Sequence, residues 1–321
     1  MRSHDRTKRI MKATALAALA FLACAGLHHG ASAHGFAGKR FFPATLSTDD
    51  PFVADELSLP TLARRNLGAS EDGPAIEQSS ASIDIAKRIT PRFGVEVGAT
   101  WLRLKGDEGR VSGLDNFAAG AKYQFHLDEA HESIASVGVD WDIGNTGAKR
   151  VGAESFSTVT PALFVGKGFG DLPDSAQFLR PLALTGSLGV AMPTRASTAT
   201  FDDDGNASIE RHPNALTVGL AVEYSLPYLQ SFVKDIGLSE PFNRLIPVVE
   251  LALQKPFDRG AGPWTGTVNP GLLWAGRYMQ LGLEAVIPVN HATGGGTGVL
   301  FQVHFFMDDL FPKTIGRPLL K

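Results

Sequence analysis

The chain is nearly free of cysteine, carries almost no net charge and has no apolar run long enough for a membrane helix. Cys24 is the only cysteine among 321 residues, so no disulfide can form within the chain. Stability must then come from hydrogen bonding and burial. The formal net charge is −3, from 30 Lys and Arg against 33 Asp and Glu. Without a basic patch or stripe, that balance excludes a nucleic-acid binder. The most apolar stretch, Ala15 to Leu27, is shorter than the ~20 residues a spanning helix needs. No later segment is long and apolar enough to be one.

The first residues read as an export signal. Arg2, Arg6, Lys8, Arg9 and Lys12 form a cationic start to that apolar run, and Ala31-Ser32-Ala33 is a small-x-small cleavage pattern. Residues 1–33 are therefore expected to be a signal peptide, with His34 as the new N-terminus. Cys24 leaves with it, and Phe21-Leu22-Ala23 is a poor lead-in for a lipoprotein acceptor. A terminal amine and imidazole on His34 form a partial copper chelate, but no further nitrogen is evident, so no metal is expected.

Beyond Ala33 the recurring pattern is alternation at period two over about ten residues, the signature of a transmembrane strand. Phe93, Val95, Val97, Ala99 and Trp101 share one face, with Arg92, Gly94, Glu96, Gly98 and Thr100 on the other. The same alternation recurs from Phe117, Ala135, Leu182, Leu216, Val249, Thr267, Tyr278 and Val299 onward. It is less clean over 82–89 and 156–167. The polar face is rich in Gly, Ala, Ser and Thr with scattered ions, which suits a crowded, wet barrel interior better than the open face of a sandwich. Trp101, Tyr123, Trp141, Trp264 and Trp274 lie near strand ends, as interfacial girdles require. The expected fold is all-β, a transmembrane antiparallel up-and-down β-barrel of about twelve strands in an outer membrane.

Connector lengths give an independent check. Tight links at Thr90-Pro91, Asp128 to Glu132 and Ala275 to Arg277 mostly alternate with polar loops over 105–116, 144–155, 193–213, 256–263 and 290–297. The tight ones read as periplasmic. An even strand count then requires a further strand within Phe52 to Arg65, despite Pro60. The barrel is expected over 52–308, preceded by a periplasmic or lumen-filling segment over 34–51 and followed by a periplasmic tail over 309–321. Two periplasmic links are longer than usual. One contains Gly168 to Arg180; the other carries Leu229, Phe232, Val233 and Ile236 at helical spacing, a short amphipathic helix.

The polar face puts Asp84, Glu96, Asp140, Asp142, Glu223, Glu250 and Glu284 in the lumen, with Arg88, Arg92, Lys122 and His304. Such a lumen concentrates cations. It equally suits a pairing network, with Arg88 and Arg92 holding Asp84 and Glu96 across their hairpin. Ser187, His126 and Asp140 lack any nucleophile elbow, as does His304 with a loop serine, so no catalytic residue is expected. Asp202-Asp203-Asp204-Gly205-Asn206 lacks the full calcium-loop pattern. No cofactor is implied. The partners expected are outer-membrane lipid and a small-molecule solute, with room for a periplasmic protein.

Several segments resemble a group of proteobacterial outer-membrane barrels. They are His34-Gly35-Phe36-Ala37-Gly38-Lys39-Arg40-Phe41-Phe42-Pro43, Asp55-Glu56-Leu57-Ser58-Leu59-Pro60, Gly266 to Gly271, Glu284 to Asn290 and Asp308 to Pro312. The group is akin to transporter barrels encoded with phenol meta-cleavage pathways. The resemblance implies a channel or transporter for small molecules, aromatic or hydrophobic ones included, and assigns no site residue. A structural or scaffolding barrel with a closed lumen, docking a periplasmic partner, is the alternative; an outer-membrane enzyme is a more distant one.

Overall fold

A computed structural model describes residues 35–67, 76–107, 109–201 and 207–320. The export segment with Cys24, the His34 terminus and the Asp202–Asn206 loop lie outside the described residues.

Twelve strands form a closed antiparallel meander. They are β1 Glu56–Leu67, β2 Ile76–Thr90, β3 Phe93–Gly106, β4 Phe117–Asp128, β5 Ser133–Ile143 and β6 Thr158–Gly168. The second half is β7 Leu182–Pro193, β8 Ala215–Tyr224, β9 Leu245–Pro256, β10 Thr265–Ala275, β11 Met279–Pro288 and β12 Gly298–Phe306. Closure is made by β12 on β1, with Phe305 opposite Leu57 and Leu300 opposite Ala63. No edge is left in the ring, as a strand in lipid demands. Pro60 sits where the β1 ladder slips, between Ser58 and Thr61. Its missing N–H therefore falls at a bulge.

Local chemistry explains the turns. At the β4–β5 link, Asp128 accepts from the amides of Ala130 and His131 at 3.0 and 3.1 Å. That Asx turn reverses the chain in a few residues. Such short links mark the periplasmic end. The polar loops hold more strand than their composition suggests. Gly109–Leu114 pairs only with the outer half of β3, and Ser197–Phe201 pairs with Ala207–Arg211 in the β7–β8 loop.

The helical link also differs from its expected form. Leu226–Tyr228 is α-helical and runs into a π-helical turn over Leu229–Val233, so Ile236 lies beyond it. Ser225 Oγ caps it by accepting from the Tyr228 amide at 3.2 Å. After β12 a short helix, Met307–Leu310, leads to a tail that returns to β2. There Leu320 N donates to Ile89 O at 2.8 Å.

The outer face is apolar. Val97 is 56% exposed, Leu188 51% and Leu283 54%. Exposed Trp101, Phe117, Trp141 and Trp264 flank this belt toward the outer end, and Phe125 and Tyr278 toward the periplasmic end. Leu283 sits mid-strand in β11, so Leu283→Lys should cost about 2–4 kcal/mol of folding stability in vesicles. A urea midpoint for refolding would register it, with Leu283→Phe close to wild type.

Candidate functional site

The lumen is not an open tube. Residues 42–55, which precede β1, enter from the periplasmic rim as a strap, rise to mid-barrel and return. A small hairpin, Phe36–Ala37 with Arg40–Phe41, begins the strap. The amides of Leu46, Ser47 and Thr48 donate to the Glu250 carboxylate at 2.7, 2.8 and 2.8 Å, and Thr48 Oγ1 adds a fourth bond at 3.0 Å. Glu250 is wholly buried. Ser47 Oγ donates to Glu284 at 3.2 Å and accepts from Asn269, while Gln280 Nε2 donates to Ala44 O at 2.7 Å. Bonds to a charged acceptor inside a poorly solvated site contribute about 1.5–3 kcal/mol each.

Glycines on the lumenal face make room for this segment. A Cβ at Gly282 would meet Leu46 at 2.6 Å, one at Gly94 would meet Val53 at 2.9 Å, and one at Gly166 would meet Pro51 at 3.1 Å. Leu46 and Phe41 pack on Ala221, Ile246, Val248 and Leu273, and Phe52 packs near Phe42 and Ala183. The periplasmic third of the lumen is thus partly a dry core.

Above and beside the strap lies a well of about 420 Å³, walled by β2 to β5, β1 and β12. Asp49, Asp50, Glu56, Asp84, Glu96, Asp140 and Asp142 border it, against Lys122 as the only lysine or arginine among the described residues. Asp142 lies one residue from the outer end of β5, so the well reaches toward the outside. Lys122 Nζ donates to Asp50 O at 2.7 Å and stands 4.6 Å above the Phe164 ring. Where β1 meets β12, Ser58 Oγ and His304 Nδ1 are 2.9 Å apart, with His304 Nε2 3.7 Å from Glu56. Ser58 and His304 are both buried, so the pair stitches the seam beside the bulge.

The lumenal residues expected from the sequence fall into three places. Asp84, Glu96, Lys122, Asp140, Asp142 and His304 border the well. Glu223, Glu250 and Glu284 are buried on the β8–β11 side, where the strap packs. Arg88 and Arg92 lie at the periplasmic end, and the expected cross-hairpin pairing is not made. Register sets Gly94 opposite Arg88 and Gly98 opposite Asp84. Arg88 bonds Asp55 at 2.7 Å instead and lies 3.6 Å from Asp308. The strap's own Ser47, Thr48, Asp49 and Asp50, and Asn269 and Gln280 facing them, were missed. Asn269 and Gln280 do stand on the polar face of the alternating pattern, while the strap residues show only as a short polar stretch ahead of the first strand. A separate cleft of about 580 Å³, bordered by Asn66, Lys105 and His291, sits at the outer rim, away from these ions.

No protein-family model matches the chain, and no curated protein matches it. Solved structures do. The β domain of the Bordetella autotransporter BrkA is 14% identical, with 79% of this chain and 99% of that one covered at a TM-score of 0.46. The KdgM porin is 11% identical, covering 76% and 98% at 0.43, and the NanC porin 8% identical, covering 77% and 98% at 0.44. These are likenesses of barrel architecture and say nothing of what this lumen admits. Nothing in these comparisons supports the phenol meta-cleavage group in particular. The closed ring, its apolar belt and its girdles decide the location. The protein resides in the outer membrane.

Proposed function

We propose that the protein is an outer-membrane channel for small molecules, with the acidic well as its solute-binding vestibule. The observation that carries this reading is a hollow of about 420 Å³ inside the barrel, reaching toward the outer end and bordered by seven carboxylates and Lys122 alongside apolar residues such as Phe52 and Ala118. Fixed carboxylates on low-dielectric walls raise the local concentration of cations and exclude anions. The resemblance points to aromatic or hydrophobic solutes. The wall of the well instead favours hydrated solutes that are neutral or positively charged, because its carboxylates outnumber its one lysine seven to one.

Planar-bilayer conductance of the refolded protein tests the reading. Stable openings with a cation preference support it. Silence from protein shown to be folded by heat-modifiability would favour a scaffolding barrel, for which the packed lower lumen is the specific support. The double variant Glu96→Gln/Asp140→Asn should lower the potassium-over-chloride permeability ratio by about threefold. Glu223→Gln, buried away from the well, should leave that ratio unchanged.

A further inference from the structure

The strap divides the lumen unequally. Toward β9 to β11 its contacts are continuous: three amides on Glu250, Ser47 on Glu284, Gln280 on Ala44, and Leu46 seated in the apolar cluster. Toward β2 to β4 the contacts are spaced apart: Lys122 on Asp50 O, Val53 against Gly94, and Asp55 on Lys87 and Arg88 at the periplasmic end. Below the well, a second hollow of about 30 Å³ lies between Phe52, Val53 and Ala54 of the strap and Gly94, Val95 and Ala121 of the wall. The two hollows share Phe52, Ala54, Ala86, Glu96, Lys122 and Asp140 along their borders. A space of that size holds about one water. Lys122 stands at the junction, its ammonium tethered to the strap through Asp50 O at 2.7 Å.

We propose that small polar solutes and ions pass beside the strap, along β2 to β4, with Lys122 as the residue that sets the constriction, and that the strap is a fixed inner wall. This rests on the channel reading and adds a route and a selectivity residue to it. Glu96 and Asp140, which border both hollows with Lys122, draw cations in, and the Lys122 ammonium opposes them. Its long flexible stem lets the opening change without any movement of the backbone. A plug that had to leave the barrel would instead give up its buried seat on Glu250 at every opening.

A tether separates the two mechanisms. A Cβ at Gly219 lies 3.2 Å from Thr48 Cβ, close to the Cβ separation of about 3.5–4.5 Å in a disulfide. Thr48→Cys/Gly219→Cys, in a chain whose one other cysteine is changed by Cys24→Ser, would lock the strap to β8. Equal unitary conductance before and after reduction is the expected result. Openings that appear only after reduction would overturn the fixed-wall route while leaving the channel standing. Absence of openings in folded wild-type protein would overturn both. Lys122→Ala, measured alone, should raise the unitary potassium current about twofold and strengthen the cation preference. No change in either quantity would remove Lys122 from the constriction, and this variant reads the route even where the tethered protein fails to fold.

Discussion

Excising residues 42–53 should raise the unitary conductance at least about threefold and broaden the size range of solutes admitted. The strap accounts for most of what fills the lower lumen. Phe42, Leu46 and Phe52 occupy its apolar part, and the Ala44 to Thr48 backbone occupies the space in front of Glu250 and Glu284. Without it those two carboxylates and Asn269, Gln280 and Lys122 would face water, which can satisfy them. The barrel keeps its full ring of ladder hydrogen bonds and should still fold. Bilayer recordings of wild-type and excised protein, both confirmed by heat-modifiability, decide the matter. Equal conductances would mean that the strap does not obstruct the pathway at all. Glu250→Ala is the milder form of the same test. It removes the acceptor of four hydrogen bonds without shortening the chain, and should give flickering openings of intermediate size.

The strands were legible wherever both faces of the sheet have distinct surroundings. Phe93 to Trp101 and Leu216 to Tyr224 alternate because one face meets lipid and the other a polar lumen. β2 shows where that signal fades. Its 15 residues would reach about 50 Å, against a belt of about 25 Å. The outer part, Ile76 to Ser82, projects beyond the hydrocarbon and is polar on both faces, so only the stretch from Ser82 was seen. The same cause hides the paired strands Ser197–Phe201 and Ala207–Arg211 inside an apparent loop. The first barrel strand was recovered by parity, since its pattern is broken at the Pro60 bulge.

The lumen was legible only as a list of residues facing one way. Glu250 and its donors are about two hundred positions apart, and no local periodicity links them. The strap is the piece that turns a lining into a site. Ala44 to Asp50 falls in the segment expected to be periplasmic or lumen-filling, and glycines such as Gly94 and Gly282 leave the space that it occupies. The failed pairing of Arg88 has an equally plain cause. Residues four apart on a strand share a face but lie about 13 Å apart, unlike their counterparts on a helix. Across the hairpin, Arg88 faces Gly94 and Asp84 faces Gly98, so neither ion has a partner directly opposite, and Arg88 reaches down to Asp55 next to β1.

Arg40→Met should lower the unfolding free energy in vesicles by about 3–5 kcal/mol, the usual effect of breaking a buried ion pair by removing one partner. Arg40 is fully buried at the periplasmic mouth. Its Nε lies 3.2 Å from Glu132, one terminal nitrogen donates to Pro181 O at 2.9 Å, and the other donates to Arg180 O. Its guanidinium also stacks 3.8 Å from the Tyr228 ring centre. Tyr228 in turn donates to Glu132 at 3.0 Å, and the Gly170 amide donates to the same carboxylate at 3.0 Å. Burial, and then the Glu132 carboxylate, push the Tyr228 hydroxyl up to about 12, so it remains a donor at any physiological pH. One arginine therefore joins the strap, the β4–β5 turn, the β6–β7 link and the helical turn. Methionine fills a similar volume but leaves Glu132 charged without its cation and two carbonyls without donors. Arg40→Lys should recover only part of the loss, because an ammonium cannot bond all three acceptors in the plane the guanidinium spans. The double variant Arg40→Met/Glu132→Gln should be less destabilised than the sum of the two single variants, since it leaves no uncompensated charge. Urea titrations followed by heat-modifiability measure all four proteins. A wild-type midpoint for Arg40→Met would show that the mouth closes without this latch, and that the strap depends on Glu250 for its place.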